Sequence, residues 1–573
     1  MSSDDRTTLG LDASTQSLSA VLLKIGTGEV LWQRSLAYRD DPRLLGFGFE
    51  HDTLVIPPRE PGEAEQPPRL FVAALDAILA DLASSGHDLA RVAAINTSGQ
   101  QHGHVYLDSD AATSFSGLRD AGSGGDALIA RLGGVFAYGG APIWKTANTV
   151  AEAEHIRAHA GGKAATIERT GSDMPLRFSA AAHRKIARRY PEAYAATRHI
   201  LQISSLLPAI LAGDCAIPVD FGNACGTGLM NYRARAWDDA MLNAVAHDLQ
   251  GGPRALADKL PPIAHPLAVV GRIAVYFREK YGFSPDCAIV AGSGDNPQSK
   301  ALASGDLLSL GTSFVYMIST PDGRVDADGA ANAMYDALGR PFNIACRTNG
   351  ALTWDRLRVL HGLGVKDHAV CEAALSALPP GSRLRFWHPD AESFPIIDAN
   401  PDVVRLDDGP ADFAGDHAGI VDSALGLVYR YGTKIAGGDA RNDPIAVCGG
   451  PSASPGVMRR VAAIWNRPAI LAGQAGAALG AAVSAAVALI PETCGVERDA
   501  AAASLRAAIY VDSTVIDPEP EWVRCYHAPG GFLDRLEAAF TRLRGSAAAK
   551  PASASENWNL ERVLAGLEHQ KSH

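Results

Sequence analysis

The chain has 573 residues, 47% hydrophobic and 20% charged, with a formal net charge of −11. That apolar content excludes disorder over most of the chain, and the length suits two large lobes that each bury a core. The acidic balance excludes a general binder of nucleic acid or anionic membrane, because phosphate binding needs a basic face.

The opening Leu9-Gly10-Leu11-Asp12-Ala13-Ser14-Thr15-Gln16-Ser17, followed by Leu18 to Leu23, reads as strand, small polar turn, strand. Pro57 to Pro68 is rich in Pro and Glu and reads as a surface loop. A helix is expected over Arg69 to Leu82, after Pro67-Pro68. Ser109 to Gly140 is Gly- and Ser-rich and is expected to be peripheral, covering a site or packing on a second copy in a homodimer. Ala180 to Tyr190 has helical spacing. A boundary is expected near Tyr281 to Pro285, before the apolar run Cys287 to Ala291. Leu307 to Ser313, then Phe314 to Ile318, repeats the design of the opening hairpin. Asp422 to Ile435, Val457 to Trp465 and Ala475 to Leu489 complete the clear helices, the last built of small residues suited to close packing. These elements divide the chain into 1–283, 284–545 and a flexible Ala/Ser/Pro-rich tail, 546–573, within which Trp558 to His569 has helical character.

The eight cysteines are Cys215, Cys225, Cys287, Cys346, Cys371, Cys448, Cys494 and Cys525, and no two are spaced as CxxC. They read as free thiols of a cytoplasmic protein, and the spacing argues against disulfides and a structural zinc. The N-terminus lacks the basic and apolar regions of a secretory signal. The longest uncharged apolar stretch, Ala472 to Pro491, is mainly Ala and Gly and reads as a buried helix, not a membrane span.

Four patterns carry candidate chemistry. Asp12 ends an apolar strand before hydroxyl residues, where a carboxylate can hold a divalent cation and backbone N–H groups can cradle phosphate. Ser98-Gly99-Gln100-Gln101-His102-Gly103 places amides and an imidazole, which both donate and accept, between two glycines. Gly292-Ser293-Gly294-Asp295-Asn296 follows a buried strand, so Asp295 would point from a strand end as a general base. Pro297 stands where a dinucleotide fingerprint needs its third glycine, which disfavours NAD. Val447 to Ser454, with Gly449-Gly450 before a helix start, lets a flat ring approach and favours an anion at the helix N-terminus. No GxxxxGK[ST] is present. Taken singly, each pattern is equally that of an ordinary turn.

Their order is specific: DxST, GQQHG, GxGDN, LGTS at 310–313, GGxSxS from Gly449, then LGAA at 479–482. This order resembles the FGGY carbohydrate kinases, and within them the xylulokinases. Gln101-His102, Thr170-Gly171-Ser172, Arg177-Phe178, Lys185-Ile186, Pro191-Glu192-Ala193-Tyr194 and Gly226-Thr227-Gly228-Leu229-Met230-Asn231 extend the resemblance, which runs from about Leu9 to Leu489. It implies a two-lobed α/β fold of the actin-like ATPase (ribonuclease H-like) kind, duplicated, with the active site in the cleft between an N-terminal sugar-binding and a C-terminal nucleotide-binding lobe. It implies transfer of the γ-phosphoryl group of ATP to O5 of D-xylulose, with Mg2+ as cofactor. By the same resemblance Asp295 is the base, and Asp12 sits by the magnesium. Gln101, His102, Arg177 and Asn296 hold the sugar. Thr15, Gly311 and Thr312 face the phosphates, and Gly449, Gly450 and Ala453 line the adenosine pocket.

Trp144-Lys145-Thr146 departs from the family pattern, which carries an acidic residue at the place of Thr146. Three other readings stand beside D-xylulose: another ketose or polyol, such as ribulose; a catalytically silent sugar binder; and an actin-like ATPase with a protein client.

Overall fold

The computed structural model describes residues 5–438, 441–472 and 476–547. The expected tail beyond Ala547, including Trp558 to His569, lies outside the described residues. Two compact units emerge. Among the described residues, the first takes 5–304, 319–343 and 476–512; the second takes 305–318, 344–438, 441–472 and 513–547.

The first unit is built on a mixed sheet. Its first strand, Thr7–Ala13, is wholly buried, as a central strand covered on both faces must be. It pairs antiparallel with Ser17–Lys24 and parallel with Val92–Gly99. Val30–Ala37 extends the sheet antiparallel on one side. On the other, Ala288–Val290 runs parallel to Val92–Gly99, and Val269–Arg272 closes the edge antiparallel. Helix Pro68–Ala83 starts with proline at its first position and buries Leu70, Phe71, Leu75, Ile78 and Leu82 in the unit's core.

The second unit repeats the plan. Leu307–Leu310 pairs antiparallel with Phe314–Ser319 and parallel with Ile445–Cys448. Ala469–Leu471 follows in parallel, and Val515–Ile516 closes the edge antiparallel. Both expected hairpins therefore form, and each sits at the same place in its sheet. The α/β class and the duplication follow from this shared topology.

The expected helices form as Pro68–Ala83, Ser179–Arg189, Phe413–Ala436, Pro455–Trp465 and Ala477–Ala488. The fourth is capped by Ser454, whose hydroxyl accepts from the Val457 N–H at 3.2 Å. The third begins nine residues before the expected start, where Asp412 caps the Gly415 N–H.

Three expectations fail. The break after 283 is not where the chain parts, because Ala288–Val290 pairs inside the first sheet and the first unit runs on to Ser304. Ser109 to Gly140 is not peripheral: Phe115, Leu118, Leu128 and Leu132 are fully buried in the first unit's core. Short helices around glycines supplied this packing without a readable period. Pro57 to Pro68 is not all surface either, since Glu63, Glu65 and Gln66 are buried and Glu65–Gln66 pairs with Ala141–Pro142. All eight cysteines are free. No described helix is long and apolar enough to cross a membrane.

Candidate functional site

Strand register brings the first unit's candidates together. Asp12 lies opposite Ser98, and Ser98 lies opposite Ser293 on the far side. Asp295 and Gln100 each follow two residues beyond that level, so the chemistry collects at the C-terminal ends of parallel strands. Gly292 makes the turn before Ser293–Gly294 at φ +81°, and a Cβ there would meet the Ser204 carbonyl oxygen at 2.3 Å. Only glycine fits that conformation and that gap.

Asp295 opens helix Asp295–Ala301. Its Oδ1 accepts from the Asn296 N–H at 2.8 Å and from Asn296 Nδ2 at 3.2 Å. Burial, and then the nearby Asp12 carboxylate, push its pKa up to about 7. Asp12 is buried, and burial raises its own pKa to about 6 against the Ser98 hydroxyl, which lowers it. Its Oδ1 has no hydrogen-bond partner. A buried carboxylate oxygen without a donor, beside a second carboxylate, is the chemistry of a cation site.

Gln101, His102 and Asn296 form one polar wall. Asn296 Nδ2 donates to Gln101 Oε1 at 2.9 Å, and Gln101 Nε2 lies 3.4 Å from Met334 Sδ. His102 takes a left-handed backbone at φ +69°. Its Nδ1 is 2.7 Å from the Gly226 carbonyl oxygen, so Nδ1–H donates and Nε2 keeps a free lone pair. The ring stacks on Phe178 at 4.7 Å. Burial first, then Arg177, lowers its pKa to about 3, so it is a neutral imidazole at ordinary pH. Arg177 is half-buried on the turn before helix Ser179–Arg189, near enough to His102 to act on its charge.

Further side chains, mostly unread from the sequence, hold these groups in place. His104 Nδ1–H donates to the His102 carbonyl at 2.9 Å, and the Tyr106 hydroxyl bridges His104 Nε2 and His183 Nδ1 at 2.9 and 2.8 Å. Asp220, fully buried, accepts from Ser293 Oγ at 2.7 Å and from the Asn223 N–H. Thr15 Oγ1 donates to Gln100 Oε1 at 3.1 Å and accepts from Trp144 Nε1 at 2.8 Å. Its hydroxyl is thus engaged by side chains of its own unit. Gln100 and Gln66 continue the chain to the Thr15 carbonyl. Thr146 is buried and donates to the Ala64 carbonyl at 2.8 Å. Alternation and spacing cannot register such links, which join segments far apart in sequence.

The second unit carries the other candidates. Gly311 and Thr312 form the tip of its hairpin, with Thr312 exposed. Gly449, Gly450 and Ala453 are exposed on the turn after strand Ile445–Cys448. The helix N-terminus expected to favour an anion already has one: Glu372 accepts from the Gly456 N–H at 2.9 Å and from Ser454 Oγ at 2.5 Å.

Residues 139–302 match the N-terminal domain of the FGGY family of carbohydrate kinases. "Probable D-xylulose kinase A" of Aspergillus flavus is 32% identical over 358 residues, which cover 61% of this chain and 60% of that relative. The match thus spans about three fifths of the relative's own length. The xylulose kinase structure from Rhodospirillum rubrum superposes with a TM-score of 0.74 at 19% identity, covering 94% of this chain and 99% of that one. The gluconate kinase structure from Lactobacillus acidophilus gives 0.72 at 19%, covering 95% and 99%. The fold is accordingly that of the FGGY sugar kinases, the duplicated actin-like ATPase architecture expected of the sequence.

Proposed function

We propose that this chain is an ATP-dependent sugar kinase that transfers the γ-phosphoryl group of ATP to O5 of D-xylulose. The observation that carries the reading is the Asp12–Asp295 pair at the strand ends, with the Gln101–Asn296–His102 wall beside it. The fungal relative's printed name supports the sugar.

Phosphoryl transfer asks little covalent chemistry of the protein, and positioning with charge neutralisation dominates. Asp295 accepts the proton of the attacking hydroxyl. Its raised pKa suits that task at neutral pH better than an ordinary carboxylate value would. His102 Nε2 accepts from a sugar hydroxyl, while Gln101, Asn296 and Arg177 donate. These groups are left unpaired by a sugar lacking the matching hydroxyls, which gives selectivity. Asp12 is the residue that would hold Mg2+, and the orphaned Oδ1 fits that ion. When bound, the ion neutralises phosphate charge. Thr15, Gly311 and Thr312 serve the phosphates; Gly449, Gly450 and Ala453 serve adenosine. We place the protein in the cytoplasm, in keeping with its free thiols.

Another ketose or polyol is the second reading, and Thr146 favours it: the hydroxyl that replaces the family's carboxylate is spent on Ala64. The test is ADP release with ATP and Mg2+ across a panel of ketoses and polyols. Turnover on D-xylulose that falls about 10²–10⁴-fold in Asp295→Ala supports the proposal. Turnover confined to another sugar replaces D-xylulose, and undiminished turnover in the variant removes Asp295 as the base.

A further inference from the structure

Well apart in sequence from the motifs above, three histidines converge on the first unit. Helix Val150–His159 places His155 and His159 four residues apart, hence on one face. His247 follows helix Asp239–Ala246 directly. One ring nitrogen from each lies within 4.8 Å of the others. The rings of His159 and His247 are 4.2 Å apart, and those of His155 and His159 are 3.9 Å apart.

The hydrogen bonds around the rings prepare nitrogen lone pairs. His159 Nδ1–H donates to the His155 carbonyl at 2.8 Å, which leaves Nε2 as a base. His247 Nδ1 is 2.8 Å from Asp248 Oδ2, the carboxylate–imidazole contact that orients a ligating histidine and raises its basicity. His155 Nε2 is buried without any partner, while its Nδ1 lies 3.4 Å from the donor Arg184 Nη2, a contact exchanged for the other tautomer when Nε2 ligates. Such an orphan is costly unless something binds it. The frame is fixed as well: Arg184 Nη1 donates to the carbonyls of Val245 and His247 at 2.9 and 2.5 Å, tying the His247 turn to helix Ser179–Arg189. Ala153, Ile156, Val245 and Ala246 pack beneath in one apolar cluster.

We propose that His155, His159 and His247 form a site for a divalent transition metal of the zinc class, held by three imidazoles with a fourth position open to water. Imidazole is a borderline ligand that suits zinc, nickel and copper, whereas magnesium and calcium demand oxygen. A tetrahedral zinc with nitrogens at about 2.1 Å needs them about 3.4 Å apart. The exposed His159 and His247 side chains close that gap by rotation, drawn toward the half-buried His155. The charged groups against the cluster are Arg184, 3.4 Å from His155 Nδ1, and Asp248, 2.8 Å from His247 Nδ1; Arg188 and Glu152 act in turn on Arg184. The site joins two helices of the sugar-side unit, and it is separate from the residues assigned to transfer.

Calorimetric titration of metal-stripped, untagged, full-length protein with Zn2+ at pH 7.5, without nucleotide, tests this. One saturating equivalent is expected, weakened at least about 10-fold in His159→Ala and in His247→Ala. Mg2+ should not compete. Both variants alter exposed side chains, and the same titration reads their folding by thermal melting. Absence of saturable binding overturns the site. So does binding equal to wild type in both variants, which moves the metal to the cysteines or to Asp12.

Discussion

Asp295 and Asp12 set a conflict between stability and activity that can be measured at single residues. A carboxyl whose folded pKa is raised is protonated more readily in the native than in the unfolded state. Its contribution is therefore complete at acid pH and is lost as pH rises from about 4 to about 7. Replacing Asp295 by Asn should raise the ligand-free melting temperature at pH 7.5 by a few degrees, corresponding to about 1–2 kcal/mol after discounting its partial exposure. Transfer should be lost in the same protein. The ionised form is the base, so kcat/KM should climb through about pH 7 to an alkaline plateau; a flat profile from pH 5.5 to 8.5 would falsify the assignment. His102 works the other way. Held neutral by burial, it contributes no titration in that range. His102→Ala should raise the sugar KM about 10–100-fold, with sugar-independent ATP hydrolysis within about twofold of wild type. Equal loss of both activities makes the residue structural. The acidic and amide residues were legible because they stand in short ordered motifs. Asp220, Tyr106 and His183 were not, because their roles depend on partners that only folding brings together: Ser293 for Asp220, and His104 and His183 around the Tyr106 hydroxyl.

At the level of elements, the helix of small residues explains how Asp295 is held. Gly480 in helix Ala477–Ala488 lies so close to helix Asp295–Ala301 that a Cβ would stand 2.0 Å from the Gln298 carbonyl oxygen. The contact is locked by Ser484 Oγ, which donates to Gln298 Oε1 at 2.9 Å and accepts from Asn96 Nδ2 at 2.7 Å. Gln298 Nε2 in turn donates to the Thr97 carbonyl at 3.0 Å. Backbone cannot yield as a side-chain tip can, so Gly480→Ala should destabilise by about 2–4 kcal/mol despite the better helix propensity of alanine. The urea midpoint measures it, and kcat should fall with it, since the helix bearing Asp295 must shift. An unchanged midpoint would show that the two helices slide apart freely. The sequence made this helix readable through its Ala and Gly content. It did not say against what the helix packs, because small residues mark a close approach without naming the neighbour.

For the whole molecule, chain continuity was the misleading signal. A reader of the sequence expects one boundary, yet the first unit recovers residues 475–512 after the second has been built. Segment 344–474 of the second unit therefore leaves the first unit and returns to it. If it unfolds while the first unit stays folded, it does so as a closed loop, with about 4–5 kcal/mol less entropy gained than a free chain of that length. This tether stabilises the second unit only while the first is intact, so the second should melt first. Its weakest substitution is identifiable. Asp416 is fully buried and accepts from Arg385 Nη1 at 2.6 Å, Arg405 Nε at 2.7 Å and His361 Nε2 at 3.0 Å. Burial alone would raise its pKa, but the cations outweigh burial and lower it. Asp416→Ala leaves Arg385, itself fully buried, with Asp407 as its one carboxylate beside the Pro410 carbonyl, at a cost of about 3–5 kcal/mol. Scanning calorimetry should therefore show two transitions. Asp416→Ala should lower only the earlier one, while Gly480→Ala should bring the later one down toward it. A single transition moved equally by both variants would mean that the two units unfold as one cooperative body.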